Sequence, residues 1–247
     1  MRGCLPRPRP CRFSVDIYWL EQNASDVPRE DQWLSGRECA HLAGLVIPKR
    51  RADWRLGRWT AKCAVSRYLK LKDDPNALAA VELWPDLSGA PKAFHGGRPA
   101  PLVLSLSHSH GTGLCAIAPA GAEVGCDLER VEPRSAAFLA DYFTDDEQRL
   151  VGQAPAAKRD EVLTLLWSVK EGVLKALCCG LRLDIRSVNV VPSDILRPND
   201  EEWGTVSASH ECARVFDGWW RVSRDFVYAI VADPRRHTGP ALFRLVR

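Results

Sequence analysis

The chain has 247 residues, 46% apolar and 26% charged, with a formal net charge of +3. That length supports one large or two small domains with a real core, and the composition matches an ordinary globular protein. The small charge gives no argument for non-specific nucleic-acid binding. No apolar run approaches the roughly 20 residues that span a bilayer, so neither nucleic acid nor membrane is an expected partner.

The opening M-R-G-C-L-P-R-P-R-P-C-R is basic and Pro-rich and lacks the apolar segment of a secretory signal. Residues 1–13 are expected to be a mobile leader, and a cytoplasmic location is expected. The nine cysteines include no C-x-x-C pair. They are read as reduced thiols, several buried as small apolar residues, rather than as metal or redox groups.

Residues 14–20 alternate apolar and polar and predict a first strand. Residues 28–46, of mixed charge, predict one or two short helices. Over 49–69, Leu56, Trp59, Cys63 and Tyr68 form a helical apolar stripe. Arg51, Arg55, Arg58 and Lys62 fall on the opposite face. Such a stripe is either a solvated cationic face or an anion clamp, since the Arg fork suits phosphate oxygens. Residues 78–84 predict a strand, followed by a loop dense in Gly and Pro with a short extended piece at 92–94. Residues 102–107 predict a strand ending at S-H-S-H-G. Ser107 and His108 there are either ordinary loop residues or a phosphate-binding corner, because hydroxyl and imidazole both donate. Residues 113–118 predict a buried strand.

At 123–130 a strand places Asp127 and Glu129 on one face, about 7 Å apart. They repel unless a cation lies between them; a hard divalent ion fits, and the plain alternative is an edge strand with solvated acids. Residues 135–151 predict a helix, then T-D-D-E, where Thr144 and Glu147 make a capping-box pattern. The helix predicted over 159–179 turns Leu163, Leu166, Val169, Val173 and Leu177 inward. On its other side Trp167, Glu171 and Lys175 succeed one another at one-turn intervals. Alone, that acid and base would be a solvated pair. Gly180 is placed to cap the helix. A strand at 183–191, a loop at 192–204 and two or three antiparallel strands over 205–246 complete the chain, with Trp167, Trp203, Trp219 and Trp220 as core or sheet-face residues. The pattern is α/β in the α+β sense. It reads as two similar halves meeting near 118–124, each a small, mostly antiparallel sheet on a long helix, without a close internal sequence repeat.

Six segments, in order, resemble Sfp-type 4′-phosphopantetheinyl transferases. G-C-D-L-E-R-V at 125–131 is similar to that family's G-(I/V)-D-(I/V/L)-E. W-S-V-K-E-G-V-L-K-A at 167–176 is similar to its W-(S/T)-x-K-E-(A/S)-x-x-K. Y-F-T-D-D-E at 142–147 resembles its F-(F/A)-(S/T)-x-x-E. L-S-L-S-H-S-H at 104–110 resembles its N-(I/V)-S-H-(S/T), without the side-chain amide. S-G-A-P-K at 88–92 resembles its G-K-P loop, with Lys92 after the proline rather than before it, and 50–58 its Arg-bearing helix. The resemblance covers roughly residues 48–182.

The resemblance implies a monomer of two pseudo-symmetric halves with coenzyme A in the cleft between them. Residues 14–120 would bind its 3′-phosphate, and 121–247 would carry the metal and the chemistry. It implies transfer of the 4′-phosphopantetheine arm to a serine of an apo acyl or peptidyl carrier protein, releasing 3′,5′-ADP. Asp127, Glu129 and Glu171 would hold Mg2+, with Mn2+ equally suited to oxygen ligands. Glu171 would be the base, directly or through a water, and Lys175 would sit over the pyrophosphate. Ser107 and His108 would contact a coenzyme A phosphate, and Arg51, Arg55 or Arg58 the 3′-phosphate. Lys170 is expected to reach the cleft edge. The length suits the broad-specificity form of polyketide or nonribosomal peptide biosynthesis rather than the short form of fatty-acid biosynthesis. A different phosphate-cleaving metalloenzyme and a degenerate binding module are the alternatives.

Overall fold

The computed structural model describes residues 16–179, 182–191, 202–211, 214–233 and 241–246. The expected leader at 1–13, the capping Gly180 and most of the loop at 192–204 lie outside them. The first part of the chain runs β1 (Ile17–Asn23), α1 (Gly36–Ala43), α2 (Pro48–Tyr68), α3 (Pro75–Ala79), β2 (Val81–Pro85), β3 (Pro91–His95), β4 (Arg98–Pro99), β5 (Leu102–Ser109) and β6 (Thr112–Pro119). The second runs β7 (Val124–Arg130), α4 (Ala136–Tyr142), α5 (Asp145–Gln153), α6 (Arg159–Ala176), β8 (Val188–Val191), β9 (Gly204–His210), β10 (Arg214–Ser223), β11 (Phe226–Ala232) and β12 (Leu242–Arg244).

The fold is α+β. One sheet has the order β12-β1-β6-β5, a second β7-β11-β10-β9-β8, and a small third β2-β3-β4. Two expectations change. Residues 75–79 are helical because Asp74 caps a turn that opens on Pro75, so the strand begins at Val81. The last strand does not join an antiparallel set: β12 returns to the first sheet and pairs in parallel with β1, Ile17 opposite Leu242.

Period-two alternation builds four layers. In β1, Leu20 packs toward α2 with Ala61, Ala64 and Val65, while Ile17 and Trp19 face the other way. In β11, Val227, Ala229 and Val231 pack toward α6 with Val169 and Val173, while Tyr228 and Ile230 face the first sheet. The order is therefore α2, first sheet, second sheet, α6. Residues 113–118 are buried on both faces, as their unbroken apolar run predicts. At one side the edge strands β5 and β7 meet, and the Cys126 amide donates to Ser105 Oγ across the seam (3.0 Å).

The structure also shows an internal repeat that the sequence analysis does not find. W-T-A-K-C-A-V at 59–65 and W-S-V-K-E-G-V at 167–173 occupy matching places on α2 and α6. Each carries a fully buried lysine paired to the capping-box glutamate of the preceding helix: Lys62 with Glu38 (2.5 Å) and Lys170 with Glu147 (2.8 Å). The repeat is too short and too diluted to rise above chance in a single sequence. Cys63 and Arg67 in the first copy stand where Glu171 and Lys175 stand in the second.

Close approach of α6 to β7 depends on two glycines. A Cβ on Gly125 would lie 1.8 Å from the Gly172 carbonyl oxygen and 2.8 Å from the Ala176 nitrogen. Gly172, which costs roughly 0.5–1 kcal/mol of helix propensity against Ala, faces Gly125 and Val231. Gly125→Ala should lose about 3 kcal/mol or more by forcing helix and strand apart. The check is the urea midpoint at unchanged slope; a loss below about 1 kcal/mol would contradict this packing.

Candidate active site

The seam between β5 and β7 lies under the C-terminal half of α6. Asp160 and Glu161 in the first turn of that helix and Lys175 in the last suit its dipole. Lys175 Nζ donates to Asp127 Oδ1 at 2.7 Å and to the Cys126 carbonyl at 3.1 Å. The Ser107 hydroxyl donates to the same Asp127 oxygen at 2.8 Å. Strand, helix and the opposite sheet thus converge on one carboxylate. Its other oxygen, Oδ2, is buried without a hydrogen-bond partner among the described residues.

Glu129 and Glu171 surround this junction electrostatically. Burial, then the Asp127 charge, pushes the Glu129 carboxyl up to about 7, with Arg134 and Lys175 opposing and Glu171 adding to the rise. Arg134 lies 3.8 Å from it. Glu171 is raised by burial and by Asp127, against Lys175. Burial pulls the Lys175 ammonium down, but Asp127, Cys126 and Glu171 outweigh it and the net shift is upward. Two glutamates whose carboxyls are raised by burial and by the Asp127 charge, beside an orphaned Asp127 oxygen, fit a hard cation with oxygen ligands. The three are not preassembled as a cage: among the described residues no three His, Cys, Asp or Glu side chains converge tightly enough to hold an ion. Lys175 and Ser107 hold Asp127 Oδ1 instead.

Glu129 gives a pH prediction. Its folded pKa lies above the ordinary 4.5, so between pH 4.5 and 7 the folded state holds a proton that the unfolded state has lost. Stability falls through that window as pH rises. In chelator, Glu129→Gln should melt at about the wild-type temperature near pH 4.5. Its advantage should grow toward pH 7 and then level off. A difference independent of pH would count against the shift.

A cavity of about 400 Å3 opens beside the junction, walled by the β2–β3 turn at 88–92, by β5, by residues 122–124 and by Lys175, Ala176 and the exposed Cys178. Lys92 lines it, 3.6 Å from Asp86. The segment expected at 85–101 as a loop with a short extended piece at 92–94 contains β3, which covers that piece, and β4; Pro91 is tolerated as the first residue of β3 and Pro99 in the edge strand β4.

The residues foreseen in the first half are placed differently. His108 is exposed on β5, and its ring reaches 3.9 Å from where a Gly57 Cβ would stand. Arg55 pairs with Asp31 at 3.0 Å and donates to the carbonyls of Pro28 and Arg29. Arg58 lies buried by Glu38 (3.8 Å) and over the Trp54 ring. Arg51 donates to the Leu42 carbonyl (2.7 Å), reaches Asp31 only at 4.0 Å, and is 41% exposed. It edges a second cavity, of about 350 Å3, with Arg55 and Ala24. Lys62 drops out of the basic stripe, because it is fully buried and bonded to the Trp33 and Leu78 carbonyls. Lys170 likewise does not reach a cleft edge: it is buried on Glu147 and on the carbonyls of Ile185 and Val188. Trp167 packs on Phe138 (4.9 Å) and Tyr142 (5.5 Å).

This is a mixed sheet-and-helix domain whose acids and lysine converge at one seam, and a family comparison covers that part of the chain. Residues 123–231 match the model of the 4′-phosphopantetheinyl transferase superfamily. The match spans β7 to β11 and includes Asp127, Glu129, Glu171 and Lys175, but not Ser107, His108 or the arginines. No curated protein matches the chain. No helix among the described residues is long and apolar enough to cross a membrane.

Proposed function

We propose that the chain, acting as a cytoplasmic monomer, transfers the 4′-phosphopantetheine arm of coenzyme A to a serine hydroxyl of an apo acyl or peptidyl carrier protein. The observation that carries this reading is the Ser107–Asp127–Lys175 junction beside the 400 Å3 cavity, within the matched superfamily domain. The cavity suits the nucleotide. Its wall offers Lys175 to the pyrophosphate, with residues 14–120 serving the 3′-phosphate and 121–247 the chemistry. Arg51 is the best placed of the three arginines for the 3′-phosphate, being the most exposed and the least firmly held by an acid. His108 lies against α2 near that cavity, its ring 3.9 Å from where a Gly57 Cβ would stand, and the neighbouring Leu56 lines the cavity.

In the transfer, the serine oxygen forms a bond to the phosphorus that bears the pantetheine arm. The bond from that phosphorus to the bridging oxygen breaks, and 3′,5′-ADP leaves. Glu171, a carboxylate made more basic by burial, accepts the serine proton. Lys175 holds the departing phosphate oxygen, where negative charge grows. Asp127 and the Cys126 carbonyl fix the lysine, and Ser107 in turn donates to Asp127. Asp127, Glu129 and Glu171 would hold Mg2+ or Mn2+, which when bound neutralises charge on the pyrophosphate.

The test is the intact mass of apo carrier proteins incubated with this chain, coenzyme A and Mg2+, against an EDTA control. Gain of one phosphopantetheine arm is expected. Consumption of coenzyme A with every carrier unmodified would replace this reading with a hydrolase. Lys175→Ala should lower kcat about 10²–10³-fold; an effect confined to KM would contradict its leaving-group role.

A further inference from the structure

A second polar cavity, of about 220 Å3, lies where β1, β10, β11 and β12 meet. It shares no lining residue with the cavity at Lys175. Glu21, Thr112, Arg221, Ser223, Arg224 and Arg244 line it, so three guanidinium groups face a single carboxylate. Arg221 spends one fork nitrogen on Glu21 (2.7 Å). Its flat face is enclosed by Tyr228, Trp19 and Trp203, with ring centroids at 4.4, 4.7 and 5.2 Å. Its Nε is buried with no hydrogen-bond partner among the described residues. Arg244 stacks over the other reach of Trp19 at 5.2 Å. Among the described residues neither Arg224 nor Arg244 has an acidic partner.

Stacking satisfies the faces of guanidinium groups and leaves their N–H edges free, and those edges are what bind oxyanions. Arg221 is half-buried with an unsatisfied Nε, and the exposed Arg224 and Arg244 add at the cavity mouth two charges that no acid among the described residues pairs, an arrangement that attracts an anion. We propose that this cavity is a second anion site, which takes a phosphoryl group. A carboxylate has two oxygens, and Glu21 already supplies one such group. Two further forks and the Ser223 hydroxyl ask for the three or four oxygens of a phosphate. The inference goes beyond the transfer reaction, because none of these residues belongs to it.

The test uses the full chain with coenzyme A and Mg2+ at saturation, so that the first site is filled. Inorganic phosphate and glycerol 3-phosphate are titrated by calorimetry, with acetate at matched ionic strength as control. Saturable binding of either phosphate probe and none of acetate is expected. Binding of the inorganic ion alone would mean a free-ion site, and binding of both a site open to monoesters. Arg224→Asn with Arg244→Gln should weaken it about tenfold or more. Asn suits residue 224 because its φ is +55°. Transfer to carrier should be unchanged in that variant. Lys175→Ala should keep phosphate binding, so failure at one site is distinguishable from failure at the other. No binding by the wild type, equal binding of acetate, or undiminished binding by the double variant would each overturn the proposal.

Discussion

Glu171→Gln should abolish transfer to carrier almost completely, by about 10³-fold or more, while the protein stays folded. Gln keeps the shape and the hydrogen-bonding reach of the side chain but can neither take a proton nor offer a full charge. The fold should tolerate the change, because Glu171 makes no salt bridge or side-chain hydrogen bond on which α6 depends among the described residues. Its carboxyl is raised by burial and by Asp127, so its charged form is a burden on the folded state above the ordinary carboxylate range. In chelator near neutral pH the variant should therefore melt no lower than wild type, and higher if anything, which is the trade expected where a site needs crowded acids. The measurement pairs carrier modification by mass with a melting curve in EDTA. Full transfer by the variant would remove Glu171 from the chemistry. Loss of transfer together with a large fall in melting temperature would make the residue structural instead.

Local rules made the parts of this site readable before the structure. A two-residue period fixes Asp127 and Glu129 on one face of β7, and a four-residue step puts Glu171 one turn from Lys175. The capping box at Thr144 and Glu147 is present as its spacing predicts. The meeting of distant segments was expected only through the family resemblance, not from any local rule. Ser107 donates to Asp127 only because the edges of two separate sheets abut, and no periodicity within β5 or β7 announces that seam. Gly172 reads in the sequence only as a weak helix residue; its use, and that of Gly125, appears when β7 and α6 are seen in contact. The basic stripe on α2 misled for a related reason. A lysine within a helical pattern reads as exposed, since burying it unpaired is so unfavourable. Here Glu38 arrives from another helix to meet Lys62, while Asp31 holds Arg55.

The largest effect on stability should come from Glu147→Gln. Glu147 is almost wholly buried and satisfied on every side: it accepts from the Thr144 amide at 2.9 Å, from the Val190 amide at 3.0 Å and from Lys170 at 2.8 Å. It therefore ties the start of α5, strand β8 and the middle of α6 together. Gln can retain parts of this pattern but removes the charge, which leaves the Lys170 ammonium buried with only the Ile185 and Val188 carbonyls. Breaking a buried pair from one side costs about 3–5 kcal/mol. For a chain of this size that corresponds to roughly 6–20 °C in melting temperature. Combining Glu147→Gln with Lys170→Met removes the stranded charge, so the double variant should recover a substantial part of the loss, and the double-mutant cycle should give a coupling of about 1 kcal/mol or more. The matching pair in the first half, Glu38 with Lys62, has the same capping-box acid, buried lysine and two carbonyl partners. Glu38→Gln should thus destabilise by a similar amount. The two variants should differ in activity when both are assayed well below their melting temperatures. Lys170 adjoins Glu171 and fixes the rotation of α6 over β7, so Glu147→Gln should also slow transfer, whereas in the first half the residue after the lysine is Cys63 and Glu38→Gln should leave the rate of the remaining folded protein nearly intact. A stability loss under about 1 kcal/mol in either variant would mean that the pair is not closed as described, and equal slowing by both would mean that α6 is not positioned through Lys170.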